Sequence, residues 1–149
     1  ALVTPSNFGG SPQRRTTGLD YNRTSLLFAV LQKQLGINLE EFDIYLNVVG
    51  GFKIEETAAD LVIVSAILSS FHDNRIDNQT VLIGEIGLSG EIRPVKSLNA
   101  RINEAEKLGY NLALVPEANA LEQGGTDPGL ELRPVKNLKE AISKLRLEA

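Results

Sequence analysis

Residues 57–71 read TAADLVIVSAILSSF, and no other stretch constrains the fold as tightly. Locally LVIV favours a strand, but the run is too long for a typical one. Thr57 with Asp60 three residues on resembles a capping pair, and Glu55 and Glu56 suit the positive end of a helix. The segment is therefore predicted to be a helix starting at Thr57. It is apolar nearly all round, so it must be covered on every side. A chain of 149 residues is enough for one domain with a proper core and too short for two ordinary ones. The rest of the chain must wrap this helix.

The wrapping elements can be read in order. The first twenty residues, including GGSPQRRTTG, are rich in Gly, Ser, Pro and Thr and read as a loop. NRTSLLFAVLQKQLG gives a helix with Asn22 as N-cap, an apolar face of Leu27, Val30, Leu31 and Leu35, and Gly36 as its stop. FDIYLNVVGG gives a strand with Phe42, Ile44, Leu46 and Val48 on one face, ended by Gly50 and Gly51. TVLIGEIGLSGEIRPV reads as two strands joined by a tight turn near Gly87 to Gly90. SLNARINEAEKLG is a helix capped by Ser97 and stopped by Gly109, and NLALVP a short buried strand. EQGGTDPG reads as a loop and LELRPV as a last strand. NLKEAISKLR is a final amphipathic helix whose Asn137 and Glu140 resemble a capping box. The expected class is α/β (α+β), with a mixed sheet flanked by about four helices, because a hairpin interrupts the helix–strand alternation.

Composition removes whole classes of function. With no cysteine there is no disulfide framework, thiolate chemistry or cysteine zinc site, and the single histidine, His72, builds no cluster. No run approaches membrane-spanning length and no signal-peptide pattern occurs, so a cytoplasmic location and no membrane partner are expected. Methionine is absent, and the chain reads as a domain excised from a longer protein. The net charge of −4 argues against non-specific nucleic-acid binding by the whole surface. It is unevenly spread. Residues 1–37 hold Arg14, Arg15, Arg23 and Lys33 against Asp20, a balance of +3 that leaves −7 for the remainder.

No G-x-x-x-x-G-K-[ST] phosphate loop is present, and GLSG around Ser89 is a turn rather than G-x-S-x-G. His72 reads as a boundary histidine, the adjacent acids Glu55 and Glu56 as helix-dipole partners, and Lys53 as a solvated strand-end lysine.

Three separated blocks carry a resemblance. VVGGFKIEETAADLVIVSAILSS, GEIGLSGEIRPVKSLNARINEAEKLGY and LALVPEAN are similar in order and spacing to the proteolytic domain of the Lon family, over residues 17–119. TTGLDYNR at 16–23 and VGGFKIEETAADL at 49–61 are closer to the Lon-like carboxy-terminal domain of a family of bacterial DNA-repair ATPases, the RadA family. The resemblance implies a Lon-protease-like fold across residues 1–149.

It also implies where a peptidase would keep its chemistry. Active Lon-type proteases place a serine at the start of the buried helix and a lysine at the start of the helix after the hairpin. Those positions fall on Ala58 and Asn99. A serine–lysine dyad needs a hydroxyl to attack and a neutral, desolvated amine to take its proton. A methyl group and a carboxamide supply neither. Asp60, where the family has glycine, is expected to set an acid beside any developing oxyanion.

A frame without its chemistry must work through surfaces. By the same resemblance the parent is expected to be a ring-forming, hexameric, DNA-dependent ATPase that drives branch migration in recombination and repair. Its ATP, Mg and Zn would lie outside this chain, which carries no cofactor of its own. The expected DNA-binding residues are Arg14, Arg15, Arg23, Arg93, Lys96 and Arg101, acting collectively on phosphates of branched or single-stranded DNA. Singly, Arg101 is as readily explained by pairing with Glu104 or Glu106. No row of aromatics suggests base stacking, so binding is expected to be backbone-led. Two alternatives stand beside this reading. One is a serine–lysine peptidase in another register, using Thr57 and Lys96. The other is a protein-interaction module for a recombinase partner with no DNA affinity.

Overall fold

The computed structural model describes residues 1–6, 11–122 and 129–147. Strands and helices run β1 (Leu2–Pro5), β2 (Arg14–Thr17), α1 (Tyr21–Leu35), β3 (Phe42–Asn47), a 3-10 turn (Thr57–Ala59) leading directly into α2 (Asp60–Phe71), and β4 (Thr80–Leu82). They continue with β5 (Glu85–Ile86), β6 (Ile92–Arg93), α3 (Leu98–Lys107), β7 (Leu112–Pro116), α4 (Glu117–Glu122), β8 (Glu131–Val135) and α5 (Leu138–Leu145). The mixed α/β character expected from the sequence is what is found.

Three small sheets share the strands. β3 lies between β1, antiparallel with Leu2 opposite Tyr45, and β2, parallel with Thr17 opposite Asn47. β4, β7 and β8 form an all-parallel sheet, and β5 and β6 a hairpin with Ile86 opposite Ile92. Alternation along β7 divides the core in two. Leu114 joins Leu27, Leu31, Ile44, Leu61, Val64 and Ile67 in the larger cluster around α2. Ala113 and Val115 join Ile83, Leu98, Ile102 and Ala105 in a second cluster under α3. The parallel sheet is thus covered on both faces, as such sheets require.

α2 is the central helix. Leu61, Val64, Ile67 and Leu68 are fully buried, and only Val62 among its large apolar side chains faces solvent.

Several local expectations are corrected, for one shared reason. The segment 1–20 read as loop contains β1 and β2, which exist because β3 supplies partners to both. α1 is capped by Asp20 rather than Asn22, its carboxylate accepting the Arg23 N–H at 2.7 Å; Gly36 closes the helix at φ +68 as expected. Neither Thr57 nor Ser97 makes a side-chain cap. The head of α2 is closed from elsewhere, with the Leu61 N–H donating to the Gly84 carbonyl at 3.1 Å. α4 is one short helix more than the sequence suggests. The Asn137 cap on α5 stands, but Glu140 reaches back to the N–H of Lys136 rather than to that of Asn137. The loop read over EQGGTDPG lies largely outside the described residues.

Candidate functional site

The head of α2 opens into a cleft of about 370 Å³. Its walls come from two segments brought together by the fold. One is Glu55 to Ala58, at and before the 3-10 turn; the other is Pro94 to Lys96, between β6 and α3; Glu85 of β5 completes the lining. The Gly84 N–H donates to the Ala58 carbonyl at 2.9 Å, which fixes the turn against the β4–β5 connection. Gly84 is required at this crossing, because a Cβ there would lie 2.8 Å from Ile92 Cγ2.

Ala58 sits in the cleft wall with its methyl group buried. Asn99 does not: it is exposed on the first turn of α3, and the cleft is lined instead by Lys96, one turn earlier. The α3 entry explains the difference. Ser97 takes a left-handed conformation at φ +56, an uncommon state for a non-glycine residue, and swings the chain so that Lys96 faces the rim. Asn119 of α4 supports that entry by accepting the Val95 N–H at 2.6 Å.

Thr57 and Lys96 therefore line one cleft, but not as a nucleophile and its base. The Thr57 hydroxyl donates to Glu85 Oε2 at 2.6 Å. Lys96 is exposed and has no side-chain partner among the described residues. A carboxylate and a solvated ammonium do not make the desolvated amine that a hydroxyl nucleophile requires.

The two walls are tied by Arg101. Its guanidinium forms a bidentate pair with Glu56 and donates to the Lys96 carbonyl at 3.0 Å. This bond holds the Glu56 carboxyl below its ordinary range. Arg101 thus pairs across the cleft rather than with Glu104 or Glu106 along its own helix.

Asp60 lies beneath the turn and faces away from the cleft, contrary to expectation. It is 1% exposed and accepts from Arg23 Nε at 2.9 Å, from a second Arg23 nitrogen, and from the Ile86 N–H at 3.0 Å. The bond to Asp60 raises the Arg23 pKa above its ordinary value. α1, α2 and β5 meet at this carboxylate.

The expected DNA-binding cations fall into two groups. Arg14 is half-buried, donates to the carbonyls of Phe42 and Leu39, and lies 5.6 Å from the Phe28 ring centroid. Burial lowers its pKa below the usual arginine value. Arg23 holds Asp60, Arg93 pairs with Glu91 at 2.7 Å and Glu85 at 3.6 Å, and Arg101 holds Glu56. Arg15 and Lys96 are exposed and have no side-chain partner among the described residues. Sequence reasoning missed Asp60–Arg23, Thr57–Glu85 and Glu56–Arg101, since each joins residues 28 to 45 apart.

The comparisons with known proteins follow the same stretch of chain. The family described as "Subunit ChlI of Mg-chelatase" matches residues 23–119, which span α1 through the first residues of α4 and include every wall of the cleft. The chain belongs to the ChlI family. Curated relatives of this ChlI-family chain are DNA repair proteins RadA. It is 45% identical over 143 residues to that of Synechocystis, 46% over 143 to that of Bacillus subtilis, and 43% over 145 to that of Streptococcus pneumoniae. These matches cover 95–97% of the chain but 28–34% of the relatives' length. The RadA resemblance read from TTGLDYNR and VGGFKIEETAADL thus extends along almost the whole chain.

Proposed function

We propose that this chain is the non-catalytic, Lon-like platform of a RadA-type DNA-repair ATPase, assembling as a ring and offering DNA a basic surface in the cytoplasm. One observation carries the reading. The cleft at the head of α2 presents a methyl group at Ala58, has Lys96 rather than Asn99 on its rim, and commits the neighbouring Thr57 hydroxyl to Glu85. With no nucleophile–base pair, the frame serves as architecture. The DNA-repair role is supported by the names of its relatives, and ATP hydrolysis and branch migration belong to the parent protein.

The DNA surface is assigned to the two expected cations that have no side-chain partner among the described residues, Arg15 and Lys96, with Arg93 and Arg101 beside the cleft. The test measures affinity for a branched DNA junction across a salt series. Steep weakening with salt, and a several-fold loss in Arg15→Ala/Lys96→Ala, is the expected outcome. Affinity indifferent to both removes the DNA surface and leaves a protein-interaction module. Light scattering of the chain reports the ring.

The fact that Thr57 and Lys96 share a cleft favours a second reading, a peptidase in another register. Turnover of unfolded casein that is lost in Lys96→Ala would establish it. The Thr57–Glu85 bond and the exposed amine argue for no turnover.

A further inference from the structure

The turn after β3 displays two large apolar side chains to solvent, Val49 at 85% exposure and Phe52 at 70%. The turn is built to do so. Gly50 and Gly51 adopt φ +87 and +74, which L side chains rarely reach. A Cβ on Gly50 would lie 2.7 Å from Phe52 Cε2, so the ring packs against bare backbone. At the end of β2, Gly18 abuts the Phe52 carbonyl, and the Ile54 N–H donates to the Gly18 carbonyl at 2.8 Å. The aromatic ring is therefore held on a fixed base, not on a loose loop.

Its charged surroundings separate one kind of ligand from another. Lys53 follows directly, exposed and without a partner among the described residues. Arg15, equally exposed, lies on β2, which leads through Thr17 and Gly18 to the Phe52 backbone. Tyr21 and Lys53 line an adjoining cavity of about 250 Å³ that also holds the carboxylates of Asp20 and Glu55. Asp20 is turned to the Arg23 N–H, and Glu55 lines the same cavity.

We propose that Phe52 is a stacking platform for an unpaired nucleobase, with Lys53 and Arg15 placed for the flanking phosphates on the β2 side. The inference rests on the DNA-surface reading and narrows it to single-stranded DNA gripped by a base. An exposed aromatic beside an unpaired cation, with a second cation on the strand leading to it, is an arrangement by which proteins hold single strands without reading sequence. An apolar socket on a partner protein would accept Phe52 but gives Lys53 and Arg15 no task.

The test uses fluorescence anisotropy on the chain with an oligothymidylate, and with an abasic oligomer of the same length. Phe52→Leu keeps the apolar bulk and removes the π-face, and Phe52→Trp enlarges it. The expected result is about a tenfold loss of oligothymidylate affinity in Phe52→Leu, retention in Phe52→Trp, and no change for the abasic oligomer. The salt dependence should stay as in the original chain, because the phosphate contacts remain. An oligothymidylate affinity unmoved by Phe52→Leu, or equal losses on both oligomers, overturns the platform and leaves the DNA surface standing. A loss accompanied by altered self-association in light scattering assigns Phe52 to a protein contact and also overturns it. Absence of any DNA binding by the original chain overturns both.

Discussion

Among the described residues Asp60 is the one buried charged side chain, and it makes the heaviest demand. A buried carboxylate is tolerated only when its charge is met, and Arg23 with the Ile86 N–H meets it. Removing the guanidinium leaves the charge stranded. Arg23→Ala should lower unfolding stability by about 3 kcal/mol, read from urea denaturation, somewhat reduced because the arginine is partly exposed. Asp60→Asn keeps the packing and removes the charge, so it should cost less. Other carboxylates act through pH. Arg101 holds Glu56 below the usual carboxylate range, the Gln13 N–H and the Ser6 hydroxyl do so for Asp43, and Lys144 and the Lys136 N–H for Glu140. A depressed folded-state pKa contributes stability above the unfolded value, and that contribution is lost as pH falls through the folded one. The thermal midpoint should therefore hold steady above about pH 5 and fall below about pH 4. A midpoint that rises on acidification would contradict these pairings.

At the level of elements, the sequence was legible wherever an element carries its own signals. α1 with Gly36, β7 as an apolar run, and α5 with Asn137 all declare themselves locally. Asn137→Ala should cost about 1 kcal/mol and shift the thermal midpoint, since its side chain satisfies the Glu140 N–H. Elements defined by distant partners stayed hidden. β1 and β2 lie in a stretch whose Gly, Ser and Pro content speaks for loop, and only β3 turns it into strand. The starts of α2 and α3 lie where the sequence put them, but their caps were misread. Thr57 and Ser97 have the chemistry of caps and make no cap bond, while the Gly84 carbonyl meets the Leu61 N–H and Asn119 fixes the chain before α3 at Val95. Propensity cannot announce an acceptor that lies in another part of the chain.

At the scale of the molecule, the candidate site was only half legible. The vacant nucleophile position could be placed on Ala58 by family resemblance, and the fold puts Ala58 in the cleft wall. The base position could not, because the left-handed Ser97 changes which residue of the α3 entry reaches the cleft. Ala58→Ser/Asn99→Lys should accordingly give no turnover of unfolded casein above background, since the new amine would sit outside the cleft. Turnover by that variant would show that position 99 reaches the cleft after all. The way the head of α2 is closed has a further consequence, in time rather than in space. Its first carbonyl acceptor and the partners of Asp60 come from 23 to 37 residues away in sequence. The carboxy-terminal turns of α2 can form against α1 early, but the Ala58 turn must wait until β5 has docked. Gly84→Ala should thus speed unfolding while leaving the refolding rate almost unchanged, a φ-value near zero in stopped-flow kinetics.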